Sequence, residues 1–285
     1  MKIGIVGLGV VGSAVKYGME KLGHDVRVHD IKLDTKLVDI FQTDICFICV
    51  PTNELEDGSC DVSIVEEIID DLTQWGYKGV IAIKSTVSPG TTEKLYLKYH
   101  KRYYNGVPHG ELKLAFVPEF LRERCAISDF TENHDVCVIG VMDSYGFCGT
   151  DMSDRVFEML KEAHGKYPQQ FARMTSTEAE LSKYFSNVYN AMRVTFANGF
   201  YEVCKKLGAR YSVIKDAVVQ RPTLIDMYLD CNEKFRGFAG VCLPKDTAAL
   251  AKLADDLDVD ARIFSVIVED NKLYNPTVMG NMRLK

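Results

Sequence analysis

Cys242 is followed by Leu243-Pro244-Lys245-Asp246, and the stretch before it contains Gly237, Ala239 and Gly240, small residues that let backbone run close to a bound molecule. Proline is favoured in the first turn of a helix, so Cys242 stands just ahead of a helix N-terminus. The partial positive charge there, with Lys245 nearby, favours the thiolate, the form a covalent nucleophile needs. Asp246 falls in the first turn, where it complements the dipole or orients a proton donor or a water. A cysteine is more often an inert core residue, and its composition alone leaves both roles open. At the other end of the chain, Gly7-Leu8-Gly9-Val10-Val11-Gly12 follows an apolar run, and Asp30 ends the next run, 18 residues after Gly12. In such a turn Gly7 allows the tight bend, Gly9 admits a pyrophosphate, Gly12 lets helix pack on strand, and the N–H groups of Val10 and Val11 face the phosphates. Asp30 would accept hydrogen bonds from a ribose and repel a 2′-phosphate, which favours NAD over NADP. Lys36 could reach the ribose or phosphates, although a solvated lysine is the commoner reading.

These groups need elements to hold them. Short β-branched runs recur at Lys2 to Val6, Asp25 to His29, Ile45 to Val50, Gly79 to Lys84, Lys113 to Phe116 and Val136 to Gly140. Stretches of helical period lie between them, as at Val11 to Leu22, Val62 to Leu72 and Thr91 to Tyr104, and the alternation predicts an α/β fold, a Rossmann-type doubly wound parallel sheet. Strand signals stop after about Gln170. Helical periods then cover Thr177 to Leu207, Tyr211 to Val219, Lys245 to Leu257 and Ala261 to Leu273, so an all-helical domain follows, with boundaries at 1–172 and 173–285. Its first helix is expected to open on a capping box, Thr177 with Glu180, ahead of an apolar stripe through Leu181, Tyr184, Phe185, Val188 and Met192.

The chain has 285 residues, 47% hydrophobic, enough for two cores, and its net charge of −6 is spread without blocks. This excludes the basic footprint of a nucleic-acid binder. No apolar run reaches the roughly 18 residues of a membrane helix, and no signal peptide precedes the first strand, so a cytoplasmic protein is expected. Nine cysteines at irregular spacing fit reduced thiols. Cys46 and Cys49 should point to opposite faces of one strand, the histidines lack metal-site spacing, and no metal is expected.

The segment Gly237 to Asp246 resembles the GFGGxC(F/L)PKD motif of the UDP-glucose/GDP-mannose 6-dehydrogenases. Four further segments match that family in order: Val50-Pro51-Thr52, Ser85-Thr86-Val87, Pro118-Glu119-Phe120-Leu121-Arg122-Glu123, and Glu180-Leu181-Ser182-Lys183-Tyr184 with Asn187. The resemblance implies a four-electron oxidation of a nucleotide-sugar C6 alcohol, with two hydrides passed to NAD and the intermediate held on Cys242 as thiohemiacetal and thioester. It implies that Lys183 and Asn187 stabilise the oxyanion, that Glu119 is the acid/base of thioester hydrolysis, and that Thr86 and Asp246 position water or assist proton transfer. It places Val50, Pro51, Thr52 and Thr86 beside the cofactor. Phe120, Leu121, Arg122, Glu123, Lys183, Asn187, Arg221, Phe238, Ala239 and Gly240 fall beside the substrate. A homodimer through the central helices is also implied.

The match departs from the family in places. Members usually continue into a third domain over the nucleotide, whereas this sequence stops at Lys285; either fewer contacts hold the sugar nucleotide, or a separate chain supplies that domain, or the substrate is smaller. The family's Asp-x-Arg-Ile-Gly aligns with Arg221 to Ile225, putting Thr223 at its arginine, and Asp135 replaces another arginine. UDP-glucose is the default substrate. The alternatives are a two-electron hydroxy-acid dehydrogenase, which has no need of Cys242, and a non-catalytic relative that binds NAD or a nucleotide sugar.

Overall fold

The computed structural model describes residues 1–100, 103–104, 107–108, 112–142 and 150–274. In chain order the elements are β1 (Lys2–Val6), α1 (Val10–Lys21), β2 (Asp25–His29), β3 (Ile45–Ile48), α2 (Ser63–Gln74), β4 (Val80–Ile83), α3 (Thr91–Tyr99), β5 (Tyr103–Tyr104) and β6 (Val107–Pro108). They continue as β7 (Leu114–Phe116), α4 (Ala126–Thr131), β8 (Val136–Val141), α5 (Thr150–His164), β9 (Gln170–Thr175), α6 (Ser176–Lys206), α7 (Tyr211–Val218), α8 (Leu243–Asp256) and α9 (Ile263–Lys272). Seven strands form one sheet in the order β2-β1-β3-β4-β7-β8-β9. The first five run parallel; β8 pairs antiparallel with β7, and β9 parallel with β8.

Period-two alternation fills both faces. Ile45 and Phe47, Ala82 and Ala115 pack with Ala14, Val15, Phe130 and Leu160 on one side. Cys46, Ile48, Ile81, Ile83, Leu114 and Phe116 pack with Val65, Ile69 and Leu95 on the other. A strand buried on both faces reads as an unbroken apolar run, which is why β1, β3 and β4 stand out in the sequence. Cys46 and Cys49 do fall on opposite faces.

The sheet extends past the point where strand signals were expected to end. β9 covers Gln170–Thr175 as an edge strand, with Gln170 and Arg173 exposed between half-buried neighbours, so its composition carries little apolar signal. The helix expected over Thr91 to Tyr104 ends at Tyr99, and Tyr103–Tyr104 is a short strand paired with Val107–Pro108. The expected capping box also moves by two residues. Thr175 donates its N–H to Glu178 at 2.8 Å and its hydroxyl oxygen accepts from the Glu178 N–H at 3.3 Å. Glu180 instead serves α3, accepting from Gly90 N–H at 2.5 Å and from the Thr92 N–H and hydroxyl at 2.8 and 2.6 Å. Of the stripe expected on α6, Tyr184 and Val188 are buried, whereas Leu181 and Phe185 are exposed.

The chain divides into two compact units, one of Met1–Asn53 with Asp61–Lys183, the other of Glu54–Cys60 with Tyr184–Lys285. The core of the second unit joins Val188, Ala191 and Val194 of α6 to Phe238, to Leu243 of α8 and to Ile267 of α9.

Candidate active site

In the first unit the residues expected around a cofactor follow the carboxyl ends of parallel strands. The strand order reverses between β1 and β3, and such switch points open a crevice where dinucleotides sit. Gly7 has φ +90°, and a Cβ there would lie 2.6 Å from the Cys49 carbonyl oxygen; at Gly12 it would lie 1.9 Å from the Gly7 carbonyl oxygen. At Gly9 it would meet nothing within 4 Å. Two glycines therefore serve packing, and the middle one borders open space. Gly9 is the N-cap of α1 without a side-chain cap, and the first turn holds no acid, so the helix end keeps its attraction for phosphate. Val10 is exposed and Val11 half-buried in that turn.

Asp30 follows β2. Its carboxylate accepts from Leu8 N–H at 2.7 Å and Lys32 N–H at 2.8 Å, and these donors hold it below the usual carboxylate range. An ionised acid tied to the glycine turn suits a ribose and opposes a 2′-phosphate. Lys36 is exposed and donates its N–H to Asp39 at 2.8 Å, opening a short 3-10 turn. After β3, Thr52 donates its hydroxyl to the Thr86 carbonyl at 2.7 Å, and Ser85 donates to the Val50 carbonyl at 2.7 Å. The Val50-Pro51-Thr52 and Ser85-Thr86 loops are thus stitched together; Pro51 is exposed and Thr86 half-buried.

Glu119 follows β7 and is buried. One carboxylate oxygen accepts from the Phe120 N–H at 2.9 Å and the other lies 3.0 Å from the ammonium of Lys84. Lys183, also buried, donates to the Glu119 carbonyl oxygen, with its ammonium 5.6 Å from the Phe120 ring centre. The loop beyond is arranged differently from a free substrate clamp: Arg122 makes two side-chain hydrogen bonds to Asp129, at 2.9 and 2.6 Å, and its own N–H adds a third. Leu121 is half-buried and Glu123 exposed.

In the second unit Cys242 is exposed and caps α8, accepting the Asp246 N–H on its carbonyl at 2.9 Å. Asp246 is fully buried; it accepts from the Asn187 amide at 2.6 Å and pairs with Lys245 at 2.8 Å. Lys245 also lies 3.9 Å from the Cys60 sulfur. Burial works to lower the Lys245 ammonium, but Asp246 and the two thiols outweigh it and hold it above its ordinary value. The thiol, a buried carboxylate, an amide and an ammonium thus gather at one helix start. Lys183 and Asn187, expected to act together, are one turn apart on α6.

The other residues expected beside the substrate lie in the second unit. The Phe238 side chain belongs to the core of the second unit, and its backbone N–H and carbonyl are both held by the Asn271 amide, at 2.8 and 2.9 Å. Arg221 is exposed in the turn after α7, as is Thr223. Ala239 is half-buried, and Gly240 is exposed with φ +90°. Sequence reasoning did not find Lys84, Asn271 or Cys60. A lysine ending an apolar strand was the available signal for the first. Among the described residues no group of three His, Cys, Asp or Glu side chains is placed to hold a metal, and no helix is long and apolar enough to cross a membrane.

Residues 32–161 match the NAD binding domain of the UDP-glucose/GDP-mannose dehydrogenase family, and residues 177–273 match its central domain. The UDP-glucose 6-dehydrogenase of Rickettsia prowazekii is 30% identical over 236 residues, 81% of this chain and 49% of that protein. The chain belongs to the UDP-glucose/GDP-mannose dehydrogenase family. Within it, the GDP-mannose 6-dehydrogenase of Pseudomonas aeruginosa is 27% identical over 240 residues, 81% of this chain and 51% of that protein. A UDP-glucose dehydrogenase structure from Pyrobaculum islandicum superposes with a TM-score of 0.83 at 27% identity, over 95% of this chain and 68% of that one. The chain spans about half the length of the curated relatives it matches. As the family's domain requires, the cofactor is NAD, and the glycine turn, the open space at Gly9 and the ionised Asp30 fit it.

Proposed function

We propose that this family member oxidises the C6 alcohol of a nucleotide sugar to the carboxylate, in the cytoplasm, through a thioester on Cys242. The carrying observation is an exposed thiol at the start of α8, whose first turn holds the buried Asp246 paired with Asn187 of α6. Bound NAD would supply the hydride acceptor, once for the alcohol, whose hydroxyl proton passes to a water positioned by Thr86 and Asp246, and once for the thiohemiacetal. Cys242 sulfur adds to the C6 aldehyde carbon, and the oxygen takes up negative charge that the Lys183 ammonium and Asn187 amide stabilise. Hydride loss from that carbon leaves a thioester. Water then attacks, the C–S bond breaks, and the sulfur leaves as thiolate; Glu119 takes the proton from water, with Thr86 and Asp246 positioning it.

Relatives acting on UDP-glucose and on GDP-mannose are about equally similar, so UDP-glucose is the default of a class. A homodimer through α6 belongs to this reading, because that helix carries an exposed apolar stripe. The test is NADH formation from UDP-glucose, UDP-N-acetylhexosamines, GDP-mannose and free sugar phosphates, beside the Cys242→Ala variant. Two NADH per substrate, lost in the variant, is the expected result. One NADH per substrate, or turnover that survives the substitution, favours a two-electron dehydrogenase and overturns the thioester; NAD binding without turnover of any of them favours a binding protein.

A further inference from the structure

Lys84 has no part in the chemistry described so far, yet it is a deeply buried cation paired with one of its residues. Its side chain is 1% exposed and that of Glu119 8%, with 3.0 Å between ammonium and carboxylate. Its other named neighbours carry no negative charge. Cys49 after β3 and Cys137 of β8 are pushed up to about 12 by burial, and so stay thiols. His164 of α5 is driven down to about 3 and His134, between α4 and β8, is also lowered, both mainly by burial, so neither ring carries charge near neutral pH. The rings of Phe47 and Phe130 lie 5.8 and 5.9 Å from the ammonium, and the Val117 carbonyl accepts from it at 3.4 Å. From α6, Lys183 reaches the backbone oxygen of Glu119 rather than its carboxylate. Burial works to lower the Lys84 ammonium, but its ion pair with Glu119 holds it above its ordinary value.

We infer that Lys84 is a positioning residue, whose buried ion pair keeps Glu119 an oriented carboxylate and thus a base rather than an acid at the start of thioester hydrolysis. This rests on the role proposed for Glu119. A buried carboxyl stripped of its counter-charge takes up a proton, because the medium disfavours the charged form. Hydrolysis then starts with its base already protonated. The oxidation steps, which need no base at Glu119, proceed unchanged.

The test compares wild type, Lys84→Met, Lys84→Arg, Glu119→Gln and the double variant Lys84→Met/Glu119→Gln. In Lys84→Met the acidic limb of the pH profile for thioester hydrolysis moves up by about 1–3 pH units, the range over which a neighbouring cation shifts a carboxyl. Lys84→Arg restores it. A rate lowered equally at every pH, with the limb unmoved, marks a structural role and overturns the inference. Should Lys84→Met fail to fold, the neutral double variant decides: hydrolysis within twofold of Glu119→Gln supports action through Glu119, and a further tenfold loss overturns it. Isotope-edited infrared spectra of the glutamate carboxyl band, assigned by its loss in Glu119→Gln, report the pairing without turnover. An ionised band in wild type and a protonated one in Lys84→Met support the pairing even where no nucleotide sugar is oxidised, in which case it is the reading of function that fails. An unchanged ionised band in folded Lys84→Met overturns the pairing itself.

Discussion

At the scale of single residues, the glycine turn separates packing from binding. A methyl group at Gly12 would meet the Gly7 carbonyl at 1.9 Å, and that atom is backbone and cannot rotate aside. Gly12→Ala is expected to cost about 1–3 kcal/mol of stability, the usual penalty of overpacking. Gly9→Ala meets nothing within 4 Å, so its unfolding midpoint should hardly move. Its added methyl intrudes where pyrophosphate must approach, and NAD affinity should fall at least tenfold. Chemical denaturation and calorimetric NAD titration on the two variants check both; NAD bound normally by Gly9→Ala would remove the phosphate from this turn. The motif was legible because its chemistry is local, with strand, turn, helix and Asp30 all within one short stretch. Lys84 was not, because its meaning lies in Glu119, which is distant in sequence and comes from another strand. Phe238 shows the converse: it sits in a motif beside reactive residues, and only the packing around Val188 and Ile267 shows that its side chain also belongs to a core.

At the scale of elements, two overlapping signatures competed at the start of α6. Thr175 with Glu178 and Thr177 with Glu180 have the same spacing, and local sequence cannot choose between them. Tertiary structure chooses, because Glu180 is taken by the start of α3, which packs on the same face of the sheet. Burial pushes its carboxyl up to about 7, against the lowering effect of its Thr92 and Gly90 donors. A folded-state value above the unfolded one means that the native state binds more protons between the two. From this group stability therefore falls as pH rises from about 4.5 to about 7, by up to about 1.4 kcal/mol per pH unit, and is level above that. Glu180→Gln should flatten this part of the stability profile. It should also lose about 1–3 kcal/mol at the acid end, since an amide nitrogen cannot accept from a backbone N–H. Urea unfolding at a series of pH values tests this; an unchanged slope in the variant would mean that Glu180 does not titrate in that window. β9 was missed for a related reason. Edge strands are half exposed, and Gln170 to Thr175 alternates too weakly to announce itself.

At the scale of the whole molecule, the stripe expected on α6 exposes a question of assembly. The sequence pattern placed Leu181 and Phe185 toward a core, but the unit's own core takes Val188, Ala191 and Val194, leaving another face bare. Along that face Phe185 is 76% exposed and Phe196 62%, with Tyr189, Phe200, Val203 and Leu207 exposed between and beyond them. A helix of 31 residues is about 45 Å long, and apolar residues repeated at helical spacing over most of it exceed the scattered exposure of an ordinary surface. Pairing with a second copy about a two-fold axis, which sets the same patch of each chain against the other, would bury the stripe. The protein should therefore run as a dimer in light scattering at micromolar concentration. Charge placed in the stripe, as in Phe185→Glu with Phe196→Lys, should give a folded monomer. A wild-type chain that is monomeric at those concentrations would assign the stripe to another partner and take the homodimer out of the proposed function.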